Sequence, residues 1–222
     1  ASLLKLPLML TYFKLADEGV IDLKEKVGFD LDDKTGLEQN FQPTVSVESG
    51  KSYTLEELIY IMIVYSDNTA YSVLIQYLRD LDSGRDYFLE TFREIGIIDP
   101  TSNLEESIYT KAYGSIFRLL YNASYLSKES SEKALDCLSV TDFDRGITYK
   151  LPKNIKSAHK FGERFGMPND EKELHDCGII YFPGNPYLLC VMTEGKDFAD
   201  LLRTIQNVSK MVYDEVDSRR TK

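Results

Sequence analysis

The chain has 222 residues and is predicted to adopt an α/β (α+β) fold, in which a mostly helical part is followed by strands and a closing helix. Two observations predict this class. Apolar residues recur at helical spacing through most of the first 140 positions, and the period then changes to that of strands. A hydrophobic content of 43% and an aromatic content of 12% are typical of a folded chain with a sizeable core.

The first helix is predicted over residues 2–18, where leucine, tyrosine and phenylalanine dominate the sequence. Pro7 lies in its first turns, where a missing N–H costs least, and Gly19 is a natural end. Residues 20–52 are polar and rich in turn-forming residues. They show no clear periodicity, so no element is predicted there.

The middle of the chain is predicted to be helical. Thr54 and Glu57 have the spacing of a capping box, which begins an apolar helix that runs through Val64. A break at Ser66 and Asp67 precedes the next helix. The remaining helices predicted from apolar spacing span residues 69–81, 85–95, 109–126 and 130–138.

Three strands are predicted over residues 155–162, 177–182 and 187–193, and a final helix over 197–215. The turn-forming residues 183–186 join the last two strands into a hairpin. Cys177 and Cys190 are equidistant from the centre of this hairpin, so simple register makes them cross-strand neighbours. A disulfide in an exported protein and two buried thiols both fit this placement. Cys137 has no predicted partner.

Composition excludes several function classes. The net charge of −10 disfavours nucleic acids and anionic membranes as partners. His159 and His175 lie 16 positions apart without a cysteine pair at zinc-finger spacing, so neither a metal nor a cofactor is predicted. The chain contains no apolar run long enough to cross a bilayer. Without repeats or linkers, residues 1–222 are predicted to form a single domain.

Three short motifs carry chemistry. They are, in order, Ser2-Leu3-Leu4-Lys5, Ser66-Asp67-Asn68 and His159-Lys160-Phe161-Gly162. A lysine three positions after a serine lies one helical turn away on the same face, and a buried lysine that loses its charge can take the serine proton. Two other pairs, Ser130 with Lys133 and Ser157 with Lys160, share this spacing. The long apolar helix behind Ser2 and the ordered motifs downstream favour Ser2.

The ordered motifs resemble those of class A β-lactamases and the related D,D-peptidases, which are penicillin-recognising serine hydrolases. The residues around the third motif are similar to the same families, and they include Gly146-Ile147, Leu151-Pro152 and residues 175–180. The resemblance covers nearly the whole chain. It implies a β-lactamase/transpeptidase-like fold, with a helical lobe over about residues 20–140 and an antiparallel sheet lobe flanked by helices from about 141 to 222.

The first two motifs receive their roles from this resemblance. It implies that Ser2 is the nucleophile and Lys5 its base. In the second motif, Ser66 would relay a proton to the leaving group, and Asn68 would hold the substrate amide. Asp67 would brace the loop.

The third motif is implied to bind substrate. Lys160 would supply positive charge to the substrate carboxylate, and Gly162 would allow a close approach to the strand. The Glu163 backbone N–H would join that of Ser2 in an oxyanion hole. A literal Lys34-Thr35-Gly36 also exists, but it precedes Ser66 in a polar stretch, so it is discounted.

The resemblance also implies a segment that this sequence does not contain. Members of the family place a helix and two strands before the nucleophile's helix, so we expect a missing N-terminal segment ahead of Ala1. A membrane anchor is expected only there. The cell-wall chemistry of the family implies an extracytoplasmic location, that is, periplasmic, secreted or surface-anchored.

Two further departures bear on the substrate. Phe161 stands where the family commonly has a hydroxyl that contacts the substrate carboxylate, and Arg145 and Arg164 are candidate substitutes. Class A enzymes also carry a loop glutamate that activates the deacylating water. Glu105 and Glu106 are the candidates for that role here.

The main functional hypothesis is an active-site serine hydrolase that forms an acyl-enzyme and hydrolyses a β-lactam or a related amide. One alternative is a D,D-peptidase that acts on cell-wall peptides and deacylates slowly. A second alternative is a non-catalytic relative that binds peptidoglycan fragments or a protein partner. The expected ligand is thus a small-molecule β-lactam or a cell-wall peptide.

Overall fold

The computed structural model describes residues 2–28, 38–82, 84–97, 110–166 and 168–220. The discounted Lys34-Thr35-Gly36 and the candidate water activators Glu105 and Glu106 lie outside the described residues. A 3-10 turn over Ser2–Leu4 precedes the following elements: α1 (Lys5–Asp17), β1 (Lys26–Gly28), β2 (Ser52–Thr54), α2 (Leu55–Val64), α3 (Asn68–Leu81), α4 (Tyr87–Glu94), α5 (Thr110–Tyr121), α6 (Lys128–Ser139), β3 (Ser157–Arg164), β4 (Lys172–Ile180), β5 (Tyr187–Gly195) and α7 (Phe198–Arg220).

The predicted helices are present, and their local signals explain most of their ends. The Thr54 hydroxyl accepts the Glu57 N–H at 3.1 Å, and the Glu57 carboxylate accepts the Thr54 N–H at 2.7 Å, so the predicted capping box is confirmed. The prediction of a helix through residue 126 was wrong, because α5 ends at Tyr121. Ala123 there adopts a left-handed φ of +46°, which a helix cannot accommodate.

The main sheet is antiparallel, with strand order β3-β4-β5. Alternate residues point to opposite faces, so each face joins a different apolar core. On one face, Phe161 and Leu174 pack with Leu201 and Ile205 of α7. The opposite face joins the large core that includes residues of α1, α2 and α5. The arrangement of helices and antiparallel sheet confirms the predicted fold class.

Two features of the strands differ from the sequence prediction. β4 begins at Lys172, five positions before the predicted start, because pairing with β5 extends through polar residues that alternate with buried ones. β1 and β2 form a separate two-stranded sheet, in which Lys26 pairs with Thr54. These strands were not predicted, since three residues are too short to show a period.

No described helix is long and apolar enough to cross a membrane.

A buried hydrogen bond between two side chains anchors the strand of the third motif. His159 Nδ1 lies 2.9 Å from Asp176 Oδ1 on β4, and both side chains are almost fully buried. The second carboxylate oxygen accepts the Ile147 N–H at 2.9 Å. A Cβ atom on Gly146 would overlap this carboxylate, so only glycine allows the chain to pass there. Asp176 therefore joins the segment around Gly146 to β3.

Candidate active site

Ser2 and Lys5 lie on consecutive turns at the start of the first helix. Lys5 Nζ is 3.0 Å from Ser2 Oγ, and both residues are buried, with exposed fractions of 2% and 6%. The three-residue spacing places both side chains on one face of the turn. The Tyr113 hydroxyl of α5 donates to the Leu3 carbonyl at 3.1 Å and so fixes the turn from behind.

The Lys5 amine is surrounded by oxygen atoms. Besides Ser2 Oγ, it contacts the Ser66 carbonyl oxygen at 2.5 Å, Asn68 Oδ1 at 2.6 Å and Ser66 Oγ at 3.2 Å. The two shortest contacts are to carbonyl-type oxygens, which only accept hydrogen bonds. They therefore take two of the amine's N–H groups. The remaining tetrahedral position of Lys5 Nζ, which holds an N–H group or a lone pair, faces the hydroxyls of Ser2 and Ser66.

The second motif forms the turn between α2 and α3. Ser66 is fully buried and has a φ of +57°, which is unusual for a residue with a side chain. Asp67 caps α3, and its carboxylate accepts the N–H groups of Thr69 at 2.8 Å and Ala70 at 3.2 Å. This cap fixes the direction of α3 and with it the side chain of Asn68, the first residue of that helix.

Lys160 reaches the same turn from the sheet. Its Nζ donates to Ser66 Oγ at 2.9 Å and to the Phe161 carbonyl at 3.2 Å, and the side chain is fully buried. Burial lowers the pKa of Lys160 to about 7, although the carboxylates of Asp176 and Glu163 oppose that shift. Ser66 Oγ therefore lies between two lysine amines.

Burial also lowers the pKa of Lys5 well below its usual value, and the neighbouring Lys160 adds to this shift. The carboxylates of Asp67 and Glu163 oppose it. The Lys5 amine therefore loses its proton more readily than the amine of an exposed lysine. Through Ser66, hydrogen bonds connect the amines of Lys160 and Lys5 to the hydroxyl of Ser2.

Gly162 allows strand β3 to pack directly on the turn that carries Ser2. A Cβ atom at this position would lie 2.6 Å from Leu3 Cγ and 3.0 Å from the Leu3 backbone nitrogen. The next residue, Glu163, has a largely buried side chain whose Oε1 accepts the N–H groups of Asn40 at 3.0 Å and Phe41 at 3.1 Å. The predicted site residues of all three motifs therefore meet in one place.

A cleft of about 410 Å³ opens onto this cluster, and Ser2, Lys5, Asn68, Glu163 and Arg164 are among its lining residues. Of the two candidate arginines, Arg164 lines this cleft, whereas Arg145 lines a different cavity.

Phe161 lies in the wall of that second cavity. Its ring stacks on Phe143 with ring centres 3.8 Å apart, and Phe41 packs edge-on against both rings. Phe161 is only 3% exposed. Its side chain therefore belongs to an aromatic cluster, and Arg164 is the candidate arginine that lies beside Ser2.

Gln39 was not predicted as a site residue, yet it contacts both sides of the Ser66 turn. Its Nε2 donates to the Ser66 carbonyl oxygen at 2.9 Å, and its Oε1 accepts the Asn68 N–H at 3.2 Å. Gln39 is 8% exposed and lines the cleft. It comes from a polar stretch without periodicity, which offers no signal for a buried amide.

The other serine–lysine pairs do not form a comparable site. Ser130 donates to the Asp17 carboxylate at 2.7 Å, and Lys133 pairs with Glu56. Ser157 lies on the same strand as Lys160, where a three-residue spacing places the two side chains on opposite faces. Among the described residues, no group of three or more metal-binding side chains could hold a metal ion.

Comparison with known proteins connects this geometry to one family. A model described as the beta-lactamase enzyme family matches residues 1–216. No curated protein sequence matches the chain.

Several solved structures share the fold. PBP-A superposes with a TM-score of 0.78 at 23% identity, over 98% of this chain and 81% of that one. A class A beta-lactamase from Bacteroides cellulosilyticus gives 0.78 at 22% identity, over 98% and 83%. A beta-lactamase from Sphaerobacter thermophilus gives 0.75 at 22% identity, over 95% and 80%. A PBP-A mutant has also been solved as an acyl-enzyme complex with penicillin G.

Proposed function

Since this chain belongs to the beta-lactamase enzyme family and is a β-lactamase-like serine hydrolase, we propose that it forms an acyl-enzyme on Ser2 and hydrolyses a β-lactam or a related amide. One observation carries the proposal. The buried Lys5 amine gives two N–H groups to acceptor-only oxygens, so that its remaining position faces the Ser2 hydroxyl. When Lys5 is neutral, that position holds the lone pair which a general base needs.

The acylation step then follows from the contacts. Lys5 takes the proton of Ser2 Oγ while that oxygen forms a bond to the carbonyl carbon of the substrate. The backbone N–H groups of Ser2 and Glu163 stabilise the developing negative charge on the carbonyl oxygen. When the intermediate collapses, the C–N bond breaks, and the proton passes from Lys5 through the Ser66 hydroxyl to the leaving nitrogen.

Substrate is held by the residues around these reacting groups. Asn68 binds the amide of the substrate side chain, and Lys160, when it is protonated, contributes positive charge to the network that receives the substrate carboxylate. Gly162 lets the substrate lie close to strand β3. Arg164 lines the cleft beside Ser2 and offers a permanent cation at its wall.

Phe161 favours a second candidate function, a D,D-peptidase that acts on cell-wall peptides and deacylates slowly. Its ring is stacked on Phe143, where it offers no hydroxyl to a substrate carboxylate. Both readings share the acyl-enzyme on Ser2 and differ in the rate of its hydrolysis.

The cell-wall chemistry of the proposed substrates favours an extracytoplasmic location, which we propose for this protein. A disulfide between Cys177 and Cys190 supports this placement, because disulfides persist in oxidising compartments. The expected ligands are small molecules, β-lactams or cell-wall peptides. The net charge of −10 favours neither nucleic acids nor anionic lipid surfaces.

Intact-mass time courses with excess benzylpenicillin test the proposal. We expect one adduct per chain, which Ser2→Ala abolishes and the matched control Ser130→Ala retains. A persistent adduct favours the peptidase reading, while an adduct that disappears as hydrolysed penicillin accumulates favours a β-lactamase. The absence of both adduct and hydrolysis, with penicillin affinity retained in Ser2→Ala, would replace catalysis by a binding role.

A further inference from the structure

We propose that residues 39–41 form a strap that positions the catalytic Ser66 turn and is fastened to strand β3 by the Glu163 side chain. The inference rests on the proposed function for its catalytic meaning, whereas the strap itself can be tested without any substrate. Two sets of hydrogen bonds carry it, one at each end of the strap.

The first end of the strap is the Gln39 carboxamide. It donates to the Ser66 carbonyl oxygen and accepts the Asn68 N–H, so it spans the turn from one side to the other. The same Ser66 oxygen accepts the shortest hydrogen bond of Lys5. Gln39 therefore helps to hold the oxygen that occupies one N–H of the base, in a turn whose Ser66 backbone is left-handed.

The second end is the Glu163 carboxylate. Its Oε1 accepts two consecutive backbone N–H groups, those of Asn40 and Phe41. Within the described part of the chain, its buried Oε2 has no hydrogen-bond partner. Burying a carboxyl group with one oxygen unpartnered costs free energy. An apolar side chain at position 163 would avoid that cost. A positioning role explains why this strand carries a carboxylate here.

Together the two ends make a second connection between the sheet and the turn. Lys160 already joins β3 to Ser66 directly. The strap is a second route between the same two parts, from Glu163 through residues 40 and 41 to Gln39. It fixes the distance between the strand that supplies an oxyanion N–H and the turn that supplies the proton relay. Gln39 and Glu163 thus act as positioning residues.

Amide hydrogen exchange tests the connection directly. In Glu163→Leu, the Asn40 and Phe41 amides lose their acceptor and should exchange faster. The decisive amide is that of Asn68, which Glu163 does not touch, and which we expect to exchange about tenfold faster because Gln39 is released. Unchanged Asn68 exchange alongside faster Asn40 and Phe41 exchange would overturn the strap. Glu194→Leu, an exposed change on β5, is the matched control.

Two milder variants cover the case in which Glu163→Leu does not fold. In Glu163→Gln, an amide oxygen still accepts both N–H groups, so exchange at Asn68 should stay near the wild-type rate. In Gln39→Ala, the Asn68 amide should exchange faster while those of Asn40 and Phe41 remain protected. Equal protection of Asn68 in Gln39→Ala and wild type would contradict the proposal.

Acylation kinetics supply the catalytic readout. We expect Gln39→Ala to lower the rate constant of acylation about tenfold with little change in substrate affinity, and Gln76→Ala on α3 to leave both unchanged. Loss of affinity without a change in the rate constant would contradict a positioning role. If the wild-type protein forms no adduct, the proposed function fails, but the exchange experiment still decides the strap.

The pH profile of acylation separates the effect of charge on the pKa of Lys5 from the effect of side-chain shape on the strap. Among the described residues, the charged groups that act on Lys5 are Lys160, Asp67 and Glu163. Glu163→Gln removes a negative charge that raises the pKa of Lys5, so the acid limb of acylation should move to lower pH. Gln39→Glu adds a negative charge beside the turn and should move the same limb to higher pH. Identical limbs in both variants would contradict this assignment.

Discussion

Lys160 Nζ donates to Ser66 Oγ across 2.9 Å, although 94 positions separate the two residues in the chain. The hydrogen bond joins a strand of the C-terminal sheet to the turn between two helices. Because Ser66 also contacts Lys5, the site is complete only when the first helix, the helical part and the sheet are all in place. The site is therefore built from parts of the chain that are far apart in sequence.

The base can be tested by a substitution that keeps the charge. In Lys5→Arg the guanidinium stays protonated, so it cannot take the proton of Ser2. We expect acylation to slow by about 10²- to 10⁴-fold, the usual contribution of a general base. Rapid-mixing measurements of adduct formation check this, with Lys133→Arg as the control. A fall of less than about fivefold would remove Lys5 from the role of base.

The lowered pKa of Lys160 has a consequence for stability. As the pH rises from about 7 towards 10.5, the folded protein progressively loses this proton while the unfolded chain keeps it. The unfolded state then binds more protons, so the free energy of unfolding should rise with pH, by at most about 1.4 kcal/mol per pH unit. Urea unfolding at pH 7.5 and 9.5 should show a smaller rise in Lys160→Met. The same rise in both proteins would contradict the assignment.

The cap of α3 can be probed separately from catalysis. Asp67→Ala removes the acceptor of the Thr69 and Ala70 N–H groups, and we expect a loss of about 1 kcal/mol in the free energy of unfolding. Asp86→Ala, which removes a similar cap on α4, should cost about the same. Only the first change should slow acylation, because only α3 carries Asn68. Equal acylation rates in the two variants would show that the cap does not position Asn68.

The disulfide predicts a measurable dependence on redox conditions. Cys177 and Cys190 close a short loop across the β4–β5 hairpin. We expect Cys177→Ser with Cys190→Ser to lower the free energy of unfolding by about 3 kcal/mol, whereas Cys137→Ser should have little effect. Thiol titration of the denatured, unreduced protein should find one free cysteine. Three free thiols would show that the bond does not form.

The local features of the fold could be predicted from sequence, because each depends on residues that are close together. The capping box at Thr54 and the register of Cys177 with Cys190 are examples, and the structure confirms both. The early start of β4 at Lys172 could not be predicted, since pairing with β5 outweighs the polarity of that stretch.

The candidate site was predicted in part for a related reason. Ser2, Lys5, Ser66 and Lys160 belong to short motifs, which the sequence displays directly. Gln39 has no such motif around it. Its role depends on the position of a loop relative to a turn 27 positions later, and on the hold that Glu163 has on that loop. Buried amides in irregular segments become visible only in three dimensions.

The contact between Gly162 and Leu3 limits how this protein can evolve. Any side chain at position 162 would push the first turn, and Ser2 with it, away from the strand. A library that samples all amino acids at this position, selected for hydrolysis, should return glycine alone. New substrate preferences must therefore arise elsewhere along the cleft, at positions such as Arg164, where a change of side chain leaves the spacing of the reacting groups intact.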